Sequence, residues 1–583
     1  MNSLLALKPY LSKYRNRLFL GYIIIVLHIT AMAYQPLVIG DAIDAISNGA
    51  ETSVILNYAL IAVGLVLVGG TFLFLTRQNI IVVSREIEND LRYDFFSHLQ
   101  RLPKSFYNSR TTGDLMNHAI SDINNIRNFL GPGIMYSMQT FTRLIITLYI
   151  LFNINVKVTI IALAPLPVIS LAVYLIGRLT YNRSLKVQES LSDLTTKAQE
   201  TFSGIRVIKS FMREQYENLE FDKKSRDFFH KSLKLAKVQA FSFPMMFLLT
   251  GLSIILVLYF GGVQVMEGNM TIGNIGEYII YLGQLTWPMI AFGWIINLIQ
   301  RAAPSMKRFK DITDIEPEIA DGKHTNHNIK ERDIEGEILF KNVSFKYPGS
   351  ENFVLKNVNL KIHKGTVLGI IGATGSGKTT LVNLLPRVFD PTSGQITLDG
   401  YPLNIIPINV LRNSIGIVPQ ESFLFSTSIG KNIAYSSDVI DDLLMIESSK
   451  QAGLYKDVAE FPRQFDTILG ERGITLSGGQ KQRTSIARAI YKQPKILILD
   501  DSLSAVDTNT EEEILSALKS IMKDRTSIII SHRISTIKNA NNIIVLRKGM
   551  IAEEGTHNEL LAMKGIYFDI YQKQLLEEQI SKL

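Results

Sequence analysis

A chain of 583 residues is too long for one hydrophobic core, so at least two domains are expected. It has no cysteine, which excludes disulfides, thiolate metal sites and cysteine nucleophiles. Its formal charge of +8 is modest and gathered in particular loops, which argues against a nucleic-acid binder.

Taken in chain order, Lys8, Lys13, Arg15 and Arg17 precede the apolar run LFLGYIIIVLHITAMAYQPLVIG. That run exceeds a signal-peptide core and further runs follow, so it reads as a retained membrane segment. Six stretches, 18–40, 54–78, 131–153, 157–178, 241–263 and 274–300, are long and apolar enough to cross a bilayer. Lys and Arg alternate between the loops. They are absent from GDAIDAISNGAET and MEGNMTIG and abundant in the long loops after spans two and four. The positive-inside rule then places both termini and both long loops in the cytoplasm of a multi-pass protein of the inner (plasma) membrane. Helical periodicity continues through the long loops, so the spans should extend below the membrane. Two segments, 111–127 and 202–211, each join a glycine to a short amphipathic helix. They read either as plain turns or as knobs that dock on a cytoplasmic motor.

Polar residues within the spans are the substrate clues. Arg143 lies mid-span with Gln139 one turn earlier on the same face, and a charge there needs water or a partner. Arg77 and Arg301 sit near cytoplasmic span ends and either line an inward cavity or snorkel to the interface. In span six Gln284, Trp287, Ala291, Trp294, Leu298 and Arg301 recur at helical spacing, with Pro288 as a kink. An aromatic cavity wall suits large amphipathic or lipid-like substrates, with drugs as passengers.

After Arg301 the pattern changes. Residues 1–310 form the helical membrane half, 311–335 a polar linker, and 336–583 a soluble half. His324 and His327 in the linker read as solvated, since no other ligand accompanies them. From Ile338 short β-branched runs alternate with helical stretches, an α/β pattern. G-x-x-x-x-G-K-T, Gly372 to Thr379, follows a strand-like TVLGII and opens a helix-like run. This is a P-loop in its required context. The loop Gly372, Thr374, Gly375, Ser376, Gly377 and the helix start at Thr380 would cradle phosphates. Lys378 would reach the β- and γ-phosphates, and Thr379 would offer its hydroxyl to Mg²⁺. LSGGQ, with Ser477, Gly478, Gly479 and Gln480, precedes KQRTSIARAI as a second anion-binding helix start. ILILD supplies a buried strand ending in Asp500, a magnesium ligand through water, and IIISHR ends in His532, placed to sense a γ-phosphate.

With P-loop, LSGGQ, apolar-strand-Asp and SHR in this order, the sequence resembles the ATP-binding cassette exporters over nearly its whole length. The resemblance implies an α-helical six-span transmembrane domain (type I ABC exporter) followed by an α/β P-loop NTPase cassette, using ATP and Mg²⁺. It further implies that Tyr347 stacks on adenine and that Gln420 contacts Mg²⁺ or water. It implies that Gly470–Gly473 touches the coupling helices, now placed at 111–127 and 202–211, and that Ser504–Asp507 communicates between cassettes. LSGGQ of one cassette caps ATP on another, so a single-cassette chain works as half of a dimer exporting amphipathic substrate. An ATP-gated channel or a regulatory protein of the same architecture is the alternative. A channel would need a continuous polar lining, which the spans lack.

One position departs from the family. Asp501 stands where glutamate usually polarises the attacking water. Its oxygens sit about 1.5 Å further back, and a shift near 1 Å can cost about a hundredfold in rate. Two assemblies follow. In one, this chain pairs with a different half-transporter whose site is competent. In the other, two copies pair and His532 and Gln420 carry more of the work. The short carboxylate tips the balance toward the first.

Overall fold

The computed structural model describes residues 2–470, 476–502, 514, 516, 518, 521–523 and 525–581. The chain divides into two compact units, Met1–Gln100 with Thr112–Ile315 and Arg101–Thr111 with Glu316–Leu583.

The first unit is helical. Its long helices are α1 (Arg15–Ser47), α2 (Thr52–Leu99), α3 (Ile134–Ile154), α4 (Leu166–Ser203), α5 (Glu214–Met266) and α6 (Ile272–Thr313). Among the described residues α1, α2 and the helical run Thr112–Ile154 are long and apolar enough to cross a membrane, and Thr250–Met266 is a shorter apolar helix. The 53 residues of α5 span about 80 Å at roughly 1.5 Å per residue, against a hydrocarbon core of about 30 Å. The helices therefore run well beyond any bilayer, as the periodicity of the long loops predicts. α6 starts at a capping box: Asn274 N–H donates to Thr271 Oγ1 and Thr271 N–H donates back to Asn274 Oδ1, each at 3.1 Å.

Two features depart from the expected spans. The fourth is not one helix. A short helix, Val156–Leu163, stops before Ala164–Pro165 and α4 begins after it. Pro165 has no N–H to give, so a bond that would continue the helix is missing, although Ala164 and Pro165 both keep a helical backbone. Segment 111–127 is not a separate short helix either. Helical turns run from Thr112 into α3 through two π-turns, His118–Asp122 and Phe129–Gly133, the second holding Pro132. Segment 202–211 does contain a separate helix, Ile205–Ser210, set off from α4 by Gly204.

Buried polar knots lock the bundle at two levels. The Tyr278 hydroxyl lies within 3.0 Å of the Leu151 carbonyl, 2.9 Å of the Asn155 carbonyl and 2.6 Å of Thr159 Oγ1. This ties α6 to α3 and to the short helix after it. At the other level Asp122, 2% exposed, accepts from Ser305 Oγ at 2.7 Å and from Arg308 Nε at 2.9 Å, both on α6. His118 Nδ1 lies 2.7 Å from the same carboxylate. The N-terminal basic residues that signal orientation also make contacts. Tyr10, Lys13 and Arg17 bond Asp94, Asp90 and Glu86, acids spaced four apart along α2.

The second unit holds two sheets. One is antiparallel, in the order β2-β1-β4-β5, from β1 (Ile338–Phe345), β2 (Leu355–Ile362), β4 (Ser393–Leu398) and β5 (Tyr401–Pro402). The other runs β10-β9-β3-β8-β7-β6, from β3 (Val367–Ile371), β6 (Ile415–Val418), β7 (Ile496–Asp500), β8 (Thr526–Ile530), β9 (Asn542–Arg547) and β10 (Met550–Gly555). Within it β9, β3, β8, β7 and β6 are parallel and β10 is antiparallel. β7 and β8 are buried at every position, which is why both read as unbroken apolar runs. Much of the polar stretch before the cassette belongs to it. Ile329 and Ile334 are buried in the cassette core, and Asn326 N–H donates to the Ile405 carbonyl at 2.8 Å.

Candidate nucleotide site

The sheet order gathers the motifs. β3, β8, β7 and β6 are neighbours and parallel, with Ile370 beside Ile530, Ile530 beside Asp500, and Leu499 beside Val418. Their C-terminal ends therefore deliver Gly372, His532, Asp500 with Asp501, and Gln420 to one edge. Ligands of open parallel sheets bind at that edge.

The loop after β3 turns through Gly377, whose φ of +103° is closed to other residue types. At Gly372 a Cβ would collide with the Leu546 carbonyl, so only glycine lets the loop lie against β9. Helix α7 (Lys378–Asn383) follows directly. The buried Lys378 ammonium donates to the carbonyls of Gly372 at 2.8 Å and Ala373 at 3.1 Å. Burial pushes this ammonium below its ordinary pKa, and the carboxylates of Asp501 and Asp500 partly offset that. The Lys378 ammonium and the Asp500 and Asp501 carboxylates are thus close enough to act on one another at this end of the sheet.

Asp500 closes β7 and is buried. Burial raises its carboxyl above the usual range. A hydrogen bond from Thr379 opposes this, and Asp501 adds to it. A buried carboxylate beside a hydroxyl is a hard oxygen pair suited to Mg²⁺. Gln420 and His532 are exposed on the same edge, and His532 is close enough to Asp500 to favour its ionised form. Asp501 has a left-handed backbone, φ +46°, and its N–H donates to the Ile530 carbonyl at 2.9 Å. The bond anchors its main chain to β8, and aspartate is among the residues that tolerate this conformation.

Tyr347 follows β1, with Phe345 and Phe389 edge-on to its ring at 5.0 and 5.4 Å. Its hydroxyl meets Thr380 Oγ1 of α7 at 2.9 Å, which holds the aromatic beside the phosphate loop. Ser477 caps helix α8 (Gly478–Tyr491). Gln480 N–H donates to Ser477 Oγ at 3.3 Å and Ser477 N–H donates to Gln480 Oε1 at 3.1 Å. Gly478 and Gly479 form the first turn. Gly372–Ser376 and His532 share a cavity of about 620 Å³, which neither the signature residues nor Lys378, Thr379, Tyr347, Gln420 and Asp500 line. Residues 471–473 and Ser504–Asp507, read as communication segments, lie outside the described residues.

The motif reading missed Arg488, on α8. It donates to the Phe423 carbonyl at 2.9 Å, the Asn432 carbonyl at 2.7 Å and Asn432 Oδ1 at 2.8 Å. It thereby pins the loop after Gln420 to the signature helix. The only signal in the sequence is an arginine on the buried side of an amphipathic helix.

In the first unit Arg143 is half-buried and within electrostatic reach of His28 on α1, so it faces a neighbouring helix. The buried Gln139 Nε2 has no hydrogen-bond partner. Arg77 and Arg301 are exposed and Gln284 is half-buried. The span-six stripe divides: Ala291 and Leu298 are buried, whereas Trp287 and Trp294 are 56% and 41% exposed. Trp294 packs edge-on against Tyr136 at 5.3 Å.

Phosphate loop, buried acid and histidine on one sheet edge define a P-loop ATPase joined to a bundle of membrane-length helices. The chain belongs to the ABC transporter family: residues 18–289 match its transmembrane region and residues 355–504 its ATP-binding region. It is 36% identical over 555 residues to a "probable multidrug resistance ABC transporter ATP-binding/permease protein" of Bacillus subtilis, covering 93% of this chain and 92% of that protein. It is 35% identical over 500 residues to an ATP-dependent lipid A-core flippase of Syntrophus aciditrophicus, covering 86% and 82%. The structure resembles that of a bacterial Atm1-family ABC exporter with ATP bound, with a TM-score of 0.79 and 26% identity over 96% of this chain and 99% of that one. The chain is thus a membrane protein of ABC exporter architecture whose cassette binds ATP and drives transport. The six-span helical domain and α/β cassette expected from the sequence are both met.

Proposed function

We propose that the chain exports amphipathic, drug-like or lipid-like molecules, or moves them between leaflets, as one half of a two-cassette dimer. The observation that carries this is where the cassette motifs sit. The ends of β3, β8, β7 and β6 bring the phosphate loop, His532, Asp500 and Gln420 to one edge, while the signature turn opens a separate helix, α8. A signature turn from a second cassette would complete that edge. Tyr347 would hold adenine, the loop Gly372–Gly377 with Lys378 and Thr380 the phosphates, and Thr379, Asp500 and Gln420 the magnesium. Magnesium, when bound, neutralises phosphate charge. Asp501 would orient the attacking water and His532 would meet the γ-phosphate. Separation of the cassettes after hydrolysis would shift the membrane half between inward and outward openings. The helix Ile205–Ser210 and the turns around 111–127 would carry that motion. The termini and cassette would lie in the cytoplasm.

The substrate class rests on the exposed Trp287 and Trp294 and the half-buried Arg143 and Gln139, which would line a substrate cavity with Arg77, Gln284 and Arg301 as further wall residues. Relatives named as a multidrug transporter and a lipid A-core flippase are consistent with it. The shortened Asp501 favours a different half-transporter as partner. The test is ATP-dependent uptake of a fluorescent amphiphile, and flipping of a labelled lipid, by inside-out vesicles. Both should vanish with Lys378→Ala. ATP hydrolysis with neither movement would remove the export reading. Recovery of a second cassette subunit with glutamate after its strand aspartate would favour the mixed dimer, and recovery of the chain alone as an active pair would refute it.

A further inference from the structure

The C-terminal helix α9 (Ile566–Ser581) plays no part in the motif reading, yet it touches the site. It is firmly seated. Ile566, Ile570 and Tyr571 pack on the cassette core, and Tyr567 is fully buried. The Tyr567 N–H donates to Glu553 of β10 at 2.9 Å. From this seat Lys573, Gln574 and Glu577 reach the cavity that Gly372–Ser376 and His532 also line.

Gln574 does more than line it. Its Oε1 accepts the Ile534 N–H at 2.9 Å, and its Nε2 donates to the His532 carbonyl at 2.6 Å. The reverse amide orientation would face donor to donor and acceptor to acceptor, so the partners fix which way the side chain points. β8 ends at Ile530, so the backbone at His532 has left that strand. Ser531 Oγ accepts the Arg533 N–H at 2.9 Å, and Gln574 brackets the chain on either side of it. A residue on a helix 40 positions away thus holds the main chain that aims the histidine.

We propose that Gln574 is a positioning residue for hydrolysis, fixing the backbone of His532 through a two-point amide bracket. This rests on His532 meeting the γ-phosphate as proposed above. The bracket itself is testable without that reading.

The experiment uses the full chain in lipid nanodiscs, with and without Asp501→Glu. Gln574→Ala should speed amide exchange at Ile534 and lower kcat, each by about tenfold, because catalytic geometry is sensitive to sub-ångström displacement. The KM for ATP and the melting temperature should stay put. Gln574→Glu keeps an acceptor for Ile534 but sets an oxygen against the His532 carbonyl. It should leave Ile534 protected while still lowering kcat. In a His532→Ala chain, Gln574→Ala should change the rate by less than about twofold, since the two act as one unit. Unchanged Ile534 exchange in Gln574→Ala overturns the proposal. So does an equal loss of rate with and without His532, or a joint fall of kcat, ATP affinity and melting temperature. Failure of Asp501→Glu to raise the rate counts against the reading of Asp501 alone, and the exchange result still decides Gln574.

Discussion

Replacing Asp501 by glutamate asks whether one methylene separates this site from a fast ATPase. The main chain at Asp501 is held by its N–H bond to the Ile530 carbonyl, and Asp500 beside it is paired in the sheet. The backbone is therefore poorly placed to move forward and make up the missing reach. The longer side chain gains about 1.5 Å. A displacement near 1 Å is worth roughly a hundredfold in rate, or about 2.7 kcal/mol at about 1.36 kcal/mol per tenfold. A counter-effect comes from the left-handed φ of +46°. Glutamate tolerates it less well than aspartate, at a cost of up to about 1 kcal/mol in folding rather than in rate. Asp501→Glu should therefore raise phosphate release by the full chain up to about a hundredfold. Nucleotide affinity should hold, because Lys378, Thr379 and Tyr347 are untouched. The assay is phosphate release in nanodiscs beside a direct nucleotide-binding titration. A rate unchanged by the substitution, with ATP still bound, refutes the argument that side-chain reach limits this site.

Other outcomes follow from the same geometry. Lys378→Ala should abolish ATP-dependent transport and weaken ATP retention at least tenfold, read by equilibrium binding, since a buried charge-assisted contact to phosphate is worth about 1.5–3 kcal/mol. Asp500 has a raised carboxyl pKa, so its proton must leave before a metal can be held there. Magnesium affinity of the ATP-loaded chain should fall as pH drops through that raised value. By linkage, the stabilisation from this proton is full below the ordinary carboxylate pKa and is lost as pH rises through the raised one. Melting of the magnesium-free chain should follow that direction, and a flat profile would contradict the assignment. Asp122→Ala removes bonds from Ser305 and Arg308 and leaves the buried His118 with only its 3.4 Å contact to Asp114. It should cost about 2–3 kcal/mol and lower the melting temperature by several degrees.

What could be read from sequence was set by locality. The phosphate loop, the strand ending in Asp500 and the signature turn are short patterns whose chemistry follows from adjacent residues. Their meeting follows from the ordering of parallel strands. The length of the helices was legible because helical period does not stop at the membrane edge. The break at Pro165 was passed over because composition dominates a hydropathy reading, although proline backbone rules point to it. Pairings between distant residues left no trace. Arg308 meets Asp122 across 186 positions, and the Gln574 bracket joins loop and helix with no local spacing to announce it. The span-six stripe shows the converse: the helical period grouped Trp287 with Ala291, but neighbouring helices decide that one is exposed and the other covered.

The interruption at Ala164–Pro165 has a mechanical consequence. The short segment Val156–Leu163 is moored through Thr159 to the Tyr278 hydroxyl, and so to α3 and α6. The 38 residues of α4 beyond it follow a turn lacking continuous helical bonding and are tied along their length to α5, by Ser190 Oγ donating to Asp227 at 2.7 Å and by the Lys197–Glu217 ion pair. Any tilt about that post would carry α4 and α5 together, and with them Ile205–Ser210, which joins the far end of one to the start of the other.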